Sequence, residues 1–113
     1  MIMIVDDSAP MRGIIKQYIQ SINVNHEFHE CNDGLEAIAA YQRVHPDWVL
    51  MDIKMPKMDG LTATKTIRQQ FPAARIIIVT NFDDPDLRDA AQKSGAAGYV
   101  LKERLFELQE LIV

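Results

Sequence analysis

Four apolar runs constrain this chain more than any other feature: residues 1–5 (Met-Ile-Met-Ile-Val), 48–51, 76–79 and 99–101. Each is the length of one strand, and none alternates with polar residues. A strand with one wet face alternates, so a continuous run implies a strand covered on both faces, as in a parallel sheet. A fifth candidate, residues 27–31 (Glu-Phe-His-Glu-Cys), carries more polar groups. Those suit a sheet edge, where one side meets water.

Helix-length segments separate these runs. In the first, Met11, Ile14, Ile15, Tyr18, Ile19 and Ile22 follow the spacing of one buried face. Ser8 is placed to cap it, with Pro10 in the first turn. The second starts at Asp33, with Glu36 three residues on, a capping box with Asp in place of Ser. It presents Ala37, Ile38 and Tyr41 inward and ends before Pro46. A third runs from about Gly60 to Phe71 and is stopped by Pro72. A fourth opens on Asp84-Pro85 and ends at Gly95. Its inner face holds only Leu87, Ala90 and Ala91, so it is the least anchored. A fifth runs from about Arg104 through Leu105, Leu108, Leu111 and Ile112. The pattern is (βα)5, an α/β doubly wound parallel five-stranded sheet with right-handed crossovers. With the polar strand 2 at the edge, the order is 2-1-3-4-5, which is flavodoxin-like.

The length, 113 residues, matches one domain spanning 1–113. Twelve basic against sixteen acidic residues leave a net charge of −4. That excludes the clustered Lys and Arg of a nucleic-acid surface and argues against docking on anionic lipid. The single cysteine, Cys31, excludes an intrachain disulfide and points to a reducing, cytoplasmic setting. No run approaches the length of a membrane span, and no basic segment precedes the first run as in a signal peptide. His26, His29 and His45 are dispersed and lack metal-ligand spacing.

Ligands of doubly wound folds bind beyond the carboxyl ends of the strands, beside the switch in strand order. Strand 1 ends in Asp6-Asp7, strand 3 in Asp52, strand 4 in Thr80 and strand 5 in Lys102. The order 2-1-3-4-5 puts the three acids at the switch point. Each residue alone has a bland reading as a cap, a β-branched strand residue or a solvated lysine; the signal is joint. Three clustered carboxylates repel one another, and a hard divalent cation relieves that repulsion. A carboxylate is also a competent nucleophile for a phosphoryl group. Lys102 supplies a fixed positive charge for phosphoryl oxygens, and the Thr80 hydroxyl a hydrogen bond.

Ile4 to Ser8, Leu50 to Gly60 (Leu-Met-Asp-Ile-Lys-Met-Pro-Lys-Met-Asp-Gly), Ile78-Val79-Thr80 and Gly95 to Lys102 together resemble the receiver domain of bacterial two-component response regulators. In tone they are similar to the subgroup joined to a C-terminal helix-turn-helix output domain. The resemblance implies that Asp52 is the phosphoacceptor. It implies that Asp7, Asp52 and the Lys54 backbone carbonyl ligate Mg²⁺ (or Mn²⁺), with Asp6 acting through metal-bound water. It implies that Thr80 and Lys102 bind the phosphoryl oxygens and that Tyr99 is an aromatic switch. The implied partners are a histidine kinase or phosphotransfer protein as donor and an output domain or protein as target. Homodimerisation through the fourth helix, fifth strand and fifth helix is implied too. Any part that touches DNA lies outside this chain.

Three positions depart from the family pattern. Asn81 stands where a small residue is usual, and either narrows access to Asp52 or hydrogen-bonds the phosphate. Lys54 either pairs with the acids or is solvated. Glu103 follows Lys102 where the family often has a cis proline, which leaves that peptide's isomer open. Two other functions compete with the signalling switch. An aspartyl phosphohydrolase would need an Asp-x-Asp spacing and a cap domain, against the adjacent Asp6-Asp7 here. A receiver-shaped docking module that is never phosphorylated has only Asn81 in its favour.

Overall fold

Strand and helix alternate through the chain. The computed structural model describes residues 1–22 and 25–112. The elements are β1 (Ile2–Val5), α1 (Ala9–Ile22), β2 (Phe28–Cys31), α2 (Gly34–Val44), β3 (Trp48–Met51), α3 (Gly60–Gln70), β4 (Ile76–Thr80), α4 (Pro85–Lys93), β5 (Gly98–Leu101), a 3-10 segment (Lys102–Glu107) and α5 (Leu108–Leu111). The five strands form one parallel sheet in the order β2-β1-β3-β4-β5. The expected topology is therefore the observed one, with the polar strand at an edge. No helix among the described residues is long and apolar enough to cross a membrane.

The continuous apolar runs work as the sequence suggests, because each face of the sheet has its own core. Met3, Val5, Val49, Met51, Ile76 and Ile78 pack with Ala37, Tyr41, Ala63, Ile67 and Ala91 on one side. Ile2, Ile4, Leu50, Ile77, Val79 and Val100 pack with Ile15, Ile19 and Leu108 on the other. Successive strand residues alternate between two dry faces, so every position is apolar.

The helix ends follow their caps. Met11 N–H donates to Ser8 Oγ at 3.2 Å. Asp33 Oδ1 accepts from Glu36 N–H at 2.9 Å, and Asp84 Oδ1 from Asp86 and Leu87 N–H. The reciprocal half of the expected capping box is shifted by one residue: Glu36 Oε2 accepts from Asn32 N–H at 3.2 Å, not from Asp33.

Two expectations need correction. Ile14 and Ile22 are 52% and 37% exposed, so the inner face of α1 narrows to Ile15 and Ile19, flanked by half-buried Met11 and Tyr18. Ile14 lies a full 100° around the helix from Ile15. Ile22 lies at the end of a helix about 21 Å long that overhangs four-residue strands of about 13 Å. The fifth helix is also not continuous from Arg104. Arg104 has non-helical φ −129° and ψ 43°, and α-helical geometry begins only at Leu108. The 3-10 turn still seats Leu105, Leu108, Leu111 and Ile112 against the second core.

Cys31 is buried at the end of β2, and burial first, then Glu36 and Asp33, pushes its thiol up to about 11. Native protein at pH 8 should therefore react with iodoacetamide about 100-fold more slowly than a free thiol, because the thiolate is the nucleophile. Reaction at the rate of free cysteine would mean that the β2 edge opens readily.

Candidate functional site

Register decides where the acids stand. Val5 pairs with Met51 across β1 and β3, so the next residues, Asp6 and Asp52, leave the sheet side by side. Asp52 N–H donates to Val5 O at 2.9 Å, and Asp6 N–H to Cys31 O at 3.1 Å. Thr80 pairs with Leu101, so Lys102 leaves β5 on the same edge of the sheet. Asp6, Asp7 and Asp52 each place a carboxylate oxygen within 4.8 Å of the others; Asp6 and Asp52 are buried and Asp7 is exposed.

Lys102 reaches across to two of them. Its Nζ is 2.9 Å from Asp6 Oδ2 and 3.1 Å from Asp52 Oδ2, with side-chain exposures of 11%, 2% and 8%. Burial pushes the Asp52 carboxyl above the ordinary carboxylate range, Lys102 pulls it back, and Asp6 adds to the rise. Burial alone would lower the Lys102 ammonium, but Asp6 and Asp52 outweigh that and hold it above its usual value. One Asp52 oxygen is held by its neighbour: Ile53 N–H donates to Oδ1 at 2.8 Å. Asp6 Oδ1 accepts from Ser8 N–H at 2.9 Å. Asp6 Oδ2 is buried, and the Lys102 ammonium at 2.9 Å is its close partner.

This donor set fits a hard divalent cation. It is all oxygen and net negative, with two buried members and one exposed to solvent.

The other expected residues sit around this centre. Thr80 is fully buried, and its Oγ1 accepts from Phe82 N–H at 3.4 Å. The Tyr99 hydroxyl donates to Phe82 O at 2.6 Å, and the Arg88 guanidinium covers its ring at 4.6 Å. Lys54 is exposed, with its ammonium 5.7 Å from the Phe82 ring centroid rather than against the acids. Asn81 is exposed. The Lys102–Glu103 peptide is trans, since the described residues contain no cis bond.

The family model of the response regulator receiver domain matches residues 2–113. The chain belongs to this family. Receiver domains are signalling modules of two-component systems, in general not enzymes. An uncharacterized transcriptional regulatory protein of Bacillus subtilis, YhcZ, is 36% identical over 111 residues, covering 98% of this chain and 51% of that protein. The chain thus spans about half the length of that relative. A DNA-binding response regulator of the LuxR family from Staphylococcus aureus is similar in structure, with a TM-score of 0.84 and 32% identity over 98% of this chain and 93% of that one. A CheX–CheY–BeF3–Mg²⁺ complex from Borrelia burgdorferi gives a TM-score of 0.88 at 28% identity, covering 99% of this receiver and 88% of the matched chain. The subgroup with transcriptional output is thus represented among its relatives, as the sequence suggested.

The structure also singles out residues that sequence reasoning passed over. The Arg12 side chain donates to the Asp6 carbonyl, and the Phe82 main chain meets the Thr80 and Tyr99 hydroxyls. Arg12 was legible as the lone basic residue in the first turn of α1; Phe82 gave no signal, since it acts through its main chain.

Proposed function

We propose that this receiver is a phosphorylation-controlled switch whose phosphoacceptor is Asp52. The observation that carries the reading is the Lys102 ammonium shared between Asp6 and Asp52 within a cluster of three carboxylates. Asp7, Asp52 and the Lys54 carbonyl would hold Mg²⁺ (or Mn²⁺), with Asp6 acting through metal-bound water. When bound, that cation offsets the charge that develops on the transferring phosphoryl oxygens. The Borrelia complex brings a CheY together with BeF3 and Mg²⁺, which supports Mg²⁺ as the cation for a receiver of this fold.

The Asp52 carboxylate oxygen attacks the phosphorus of a phosphohistidine on a histidine kinase or phosphotransfer protein. An O–P bond forms, the P–N bond breaks, and the imidazole leaves with its electron pair and takes up a proton. Lys102 lies beside the attacking oxygen and can follow the new negative charge. Water later cleaves the acyl phosphate and restores Asp52. The only substrate of this chemistry is the protein's own aspartate.

Phosphorylation adds negative charge and three acceptor oxygens at Asp52. Thr80 then exchanges its bond with Phe82 N–H for one to the phosphoryl group and draws the β4–α4 loop with it. Tyr99, tied to the same Phe82 by its hydroxyl, turns inward with that loop. Of α4, Ala91 alone is fully buried, so the helix is cheap to shift. The phosphate thereby moves a population between two arrangements of the α4–β5–α5 face. The reader of that face is an output domain or target protein, and transcriptional control fits the relatives; a second copy of the chain can use the same face. We place the domain, residues 1–113, in the cytoplasm with its kinase.

The test is intact-mass spectrometry after incubation with acetyl phosphate and Mg²⁺. The wild type should gain one phosphoryl group, and Asp52→Asn should gain none. An unlabelled wild type, under conditions that label a control receiver, would favour the docking module.

A further inference from the structure

We propose that Arg12 is a positioning residue for the metal-binding acids, acting by clamping the Asp6–Asp7 peptide to the end of β2. The proposal rests on the reading above that Asp6 and Asp7 help hold a divalent cation.

Arg12 stands in the first turn of α1, where its N–H donates to Ser8 O at 3.0 Å. Its side chain is only 13% exposed and points back over the acidic turn. Nη1 donates to the Asp6 carbonyl at 2.6 Å and to Asn32 Oδ1 at 2.9 Å, while Nε donates to Glu30 Oε1 at 3.0 Å. Three segments meet on this guanidinium: the acidic turn after β1, the first turn of α1, and the end of β2 with its following loop. The carbonyl it grips belongs to the peptide that joins Asp6 to Asp7. That peptide plane sets the direction in which Asp7, the exposed acid, leaves the chain.

The remaining bonds of the turn leave this one degree of freedom open. Asp6 N–H is fixed to Cys31 O, and Asp6 Oδ1 to Ser8 N–H. Both hold the residue before the Asp6–Asp7 peptide or the one after Asp7. Among the described residues, Arg12 supplies the hydrogen bond to the Asp6 carbonyl itself. A planar fork of fixed donors suits this task, since one group serves three acceptors in set directions. Glu30 and Asn32 serve as its anchor on the edge strand.

The proposal makes a prediction opposite in sign to simple electrostatics. Arg12 is a cation near a cation site, so Coulomb repulsion alone predicts tighter Mg²⁺ binding when its charge is removed. A positioning role predicts weaker binding, because ligands that lose their support cost affinity.

The experiment is calorimetric titration of the whole chain with Mg²⁺ alone, for wild type, Arg12→Met and Asn32→Ala. Arg12→Met should weaken binding about tenfold. Asn32→Ala changes no charge and lies at an exposed position, so it tests the clamp even if Arg12→Met folds poorly; it should weaken binding several-fold. In metal-free protein, amide hydrogen exchange at Asp7 and Ser8 should quicken in both variants, a readout independent of the metal. Equal or tighter Mg²⁺ binding by folded Arg12→Met, or an unchanged affinity in Asn32→Ala, would overturn the clamp. Absence of Mg²⁺ binding by the wild type at millimolar concentration would instead overturn the metal reading on which the clamp rests.

Discussion

A Lys102→Met variant is expected to be less stable than the wild type by about 3 kcal/mol at pH 7. The reason is the pair of buried carboxylates that share its ammonium at 2.9 and 3.1 Å. Removing one partner of a buried ion pair leaves an uncompensated charge, which costs more than the pair contributes. Here two charges lose their partner at once. The pH dependence follows from the directions of the shifts. Lys102 is held above its ordinary value, so it contributes stability that is fully present below that value and lost as pH rises through the folded one. Asp52 is also raised, which for a carboxylate means that stability falls as pH rises from its ordinary value to the folded one. The variant's deficit should therefore shrink on acidification, as the orphaned Asp52 carboxyl protonates. The alkaline loss traced to Lys102 should vanish. Chemical denaturation from pH 4 to pH 11 would measure both trends.

Magnesium gives the same variant a second readout. With the competing ammonium gone, an added divalent cation takes over its electrostatic role. At a concentration ten times its Kd, a ligand that binds only the folded state stabilises by about 1.4 kcal/mol. The Mg²⁺-induced rise in the denaturation midpoint should be larger in Lys102→Met than in the wild type. An equal rise would separate Lys102 from the cation site. Phosphorylation of the variant by acetyl phosphate should fall even where Mg²⁺ restores the fold, because the cation then offsets the phosphoryl charge without the second positive charge that Lys102 supplies.

The sequence carried the topology because the decisive signal was a property of whole strands. Residues 2–5 and 76–79 are apolar throughout, and a parallel sheet with two dry faces accounts for that. The polar Glu30 and half-buried His29 then assigned β2 to an edge. From that order alone, Asp6, Asp7 and Asp52 could be brought to one crevice, and the register confirms the placement of Asp6 beside Asp52. What stayed hidden depends on lengths and on main-chain atoms. Ile14 and Ile22 match the helical period, but a period does not say how wide a stripe a short sheet can cover. The break at Arg104 reflects how the chain leaves Lys102 before Leu105 and Leu108 can reach the core, which no local propensity encodes. The roles of Phe82 and Arg12 turn on backbone oxygens and amides, which every residue possesses. Lys54 had two readings at the sequence level, and its place over Phe82 rather than the acids decides between them by geometry alone.

Gly60→Ala should be the most damaging single-methyl change in the chain, costing about 3 kcal/mol. A Cβ built at Gly60 would fall 1.7 Å from the Asp52 carbonyl oxygen, 2.8 Å from its carbon and 2.9 Å from Met51 Cγ. The first two neighbours are backbone, so a flexible side chain cannot swing aside. Gly60 N–H also donates to Ile53 O at 2.8 Å, which ties the start of α3 to the residue after Asp52. Relief therefore requires α3 to lift or the Asp52 main chain to move, and either displaces the carboxylate that Lys102 and Ile53 N–H hold in place. Stability and phosphorylation should consequently fall together, including in the fraction that remains folded. Gly13→Ala provides the opposite case in the same protein. Gly13 lies inside α1, and a Cβ there meets nothing within 4 Å. Alanine at that site should stabilise by about 0.5–1 kcal/mol through helix propensity alone and leave phosphorylation unchanged. Urea denaturation of the two variants beside the wild type reads both signs. If Gly60→Ala matched the wild type, the close approach of α3 to Asp52 would not exist in solution, and the support it gives the Asp52 carboxylate would have to come from the β3 register and Lys102 alone.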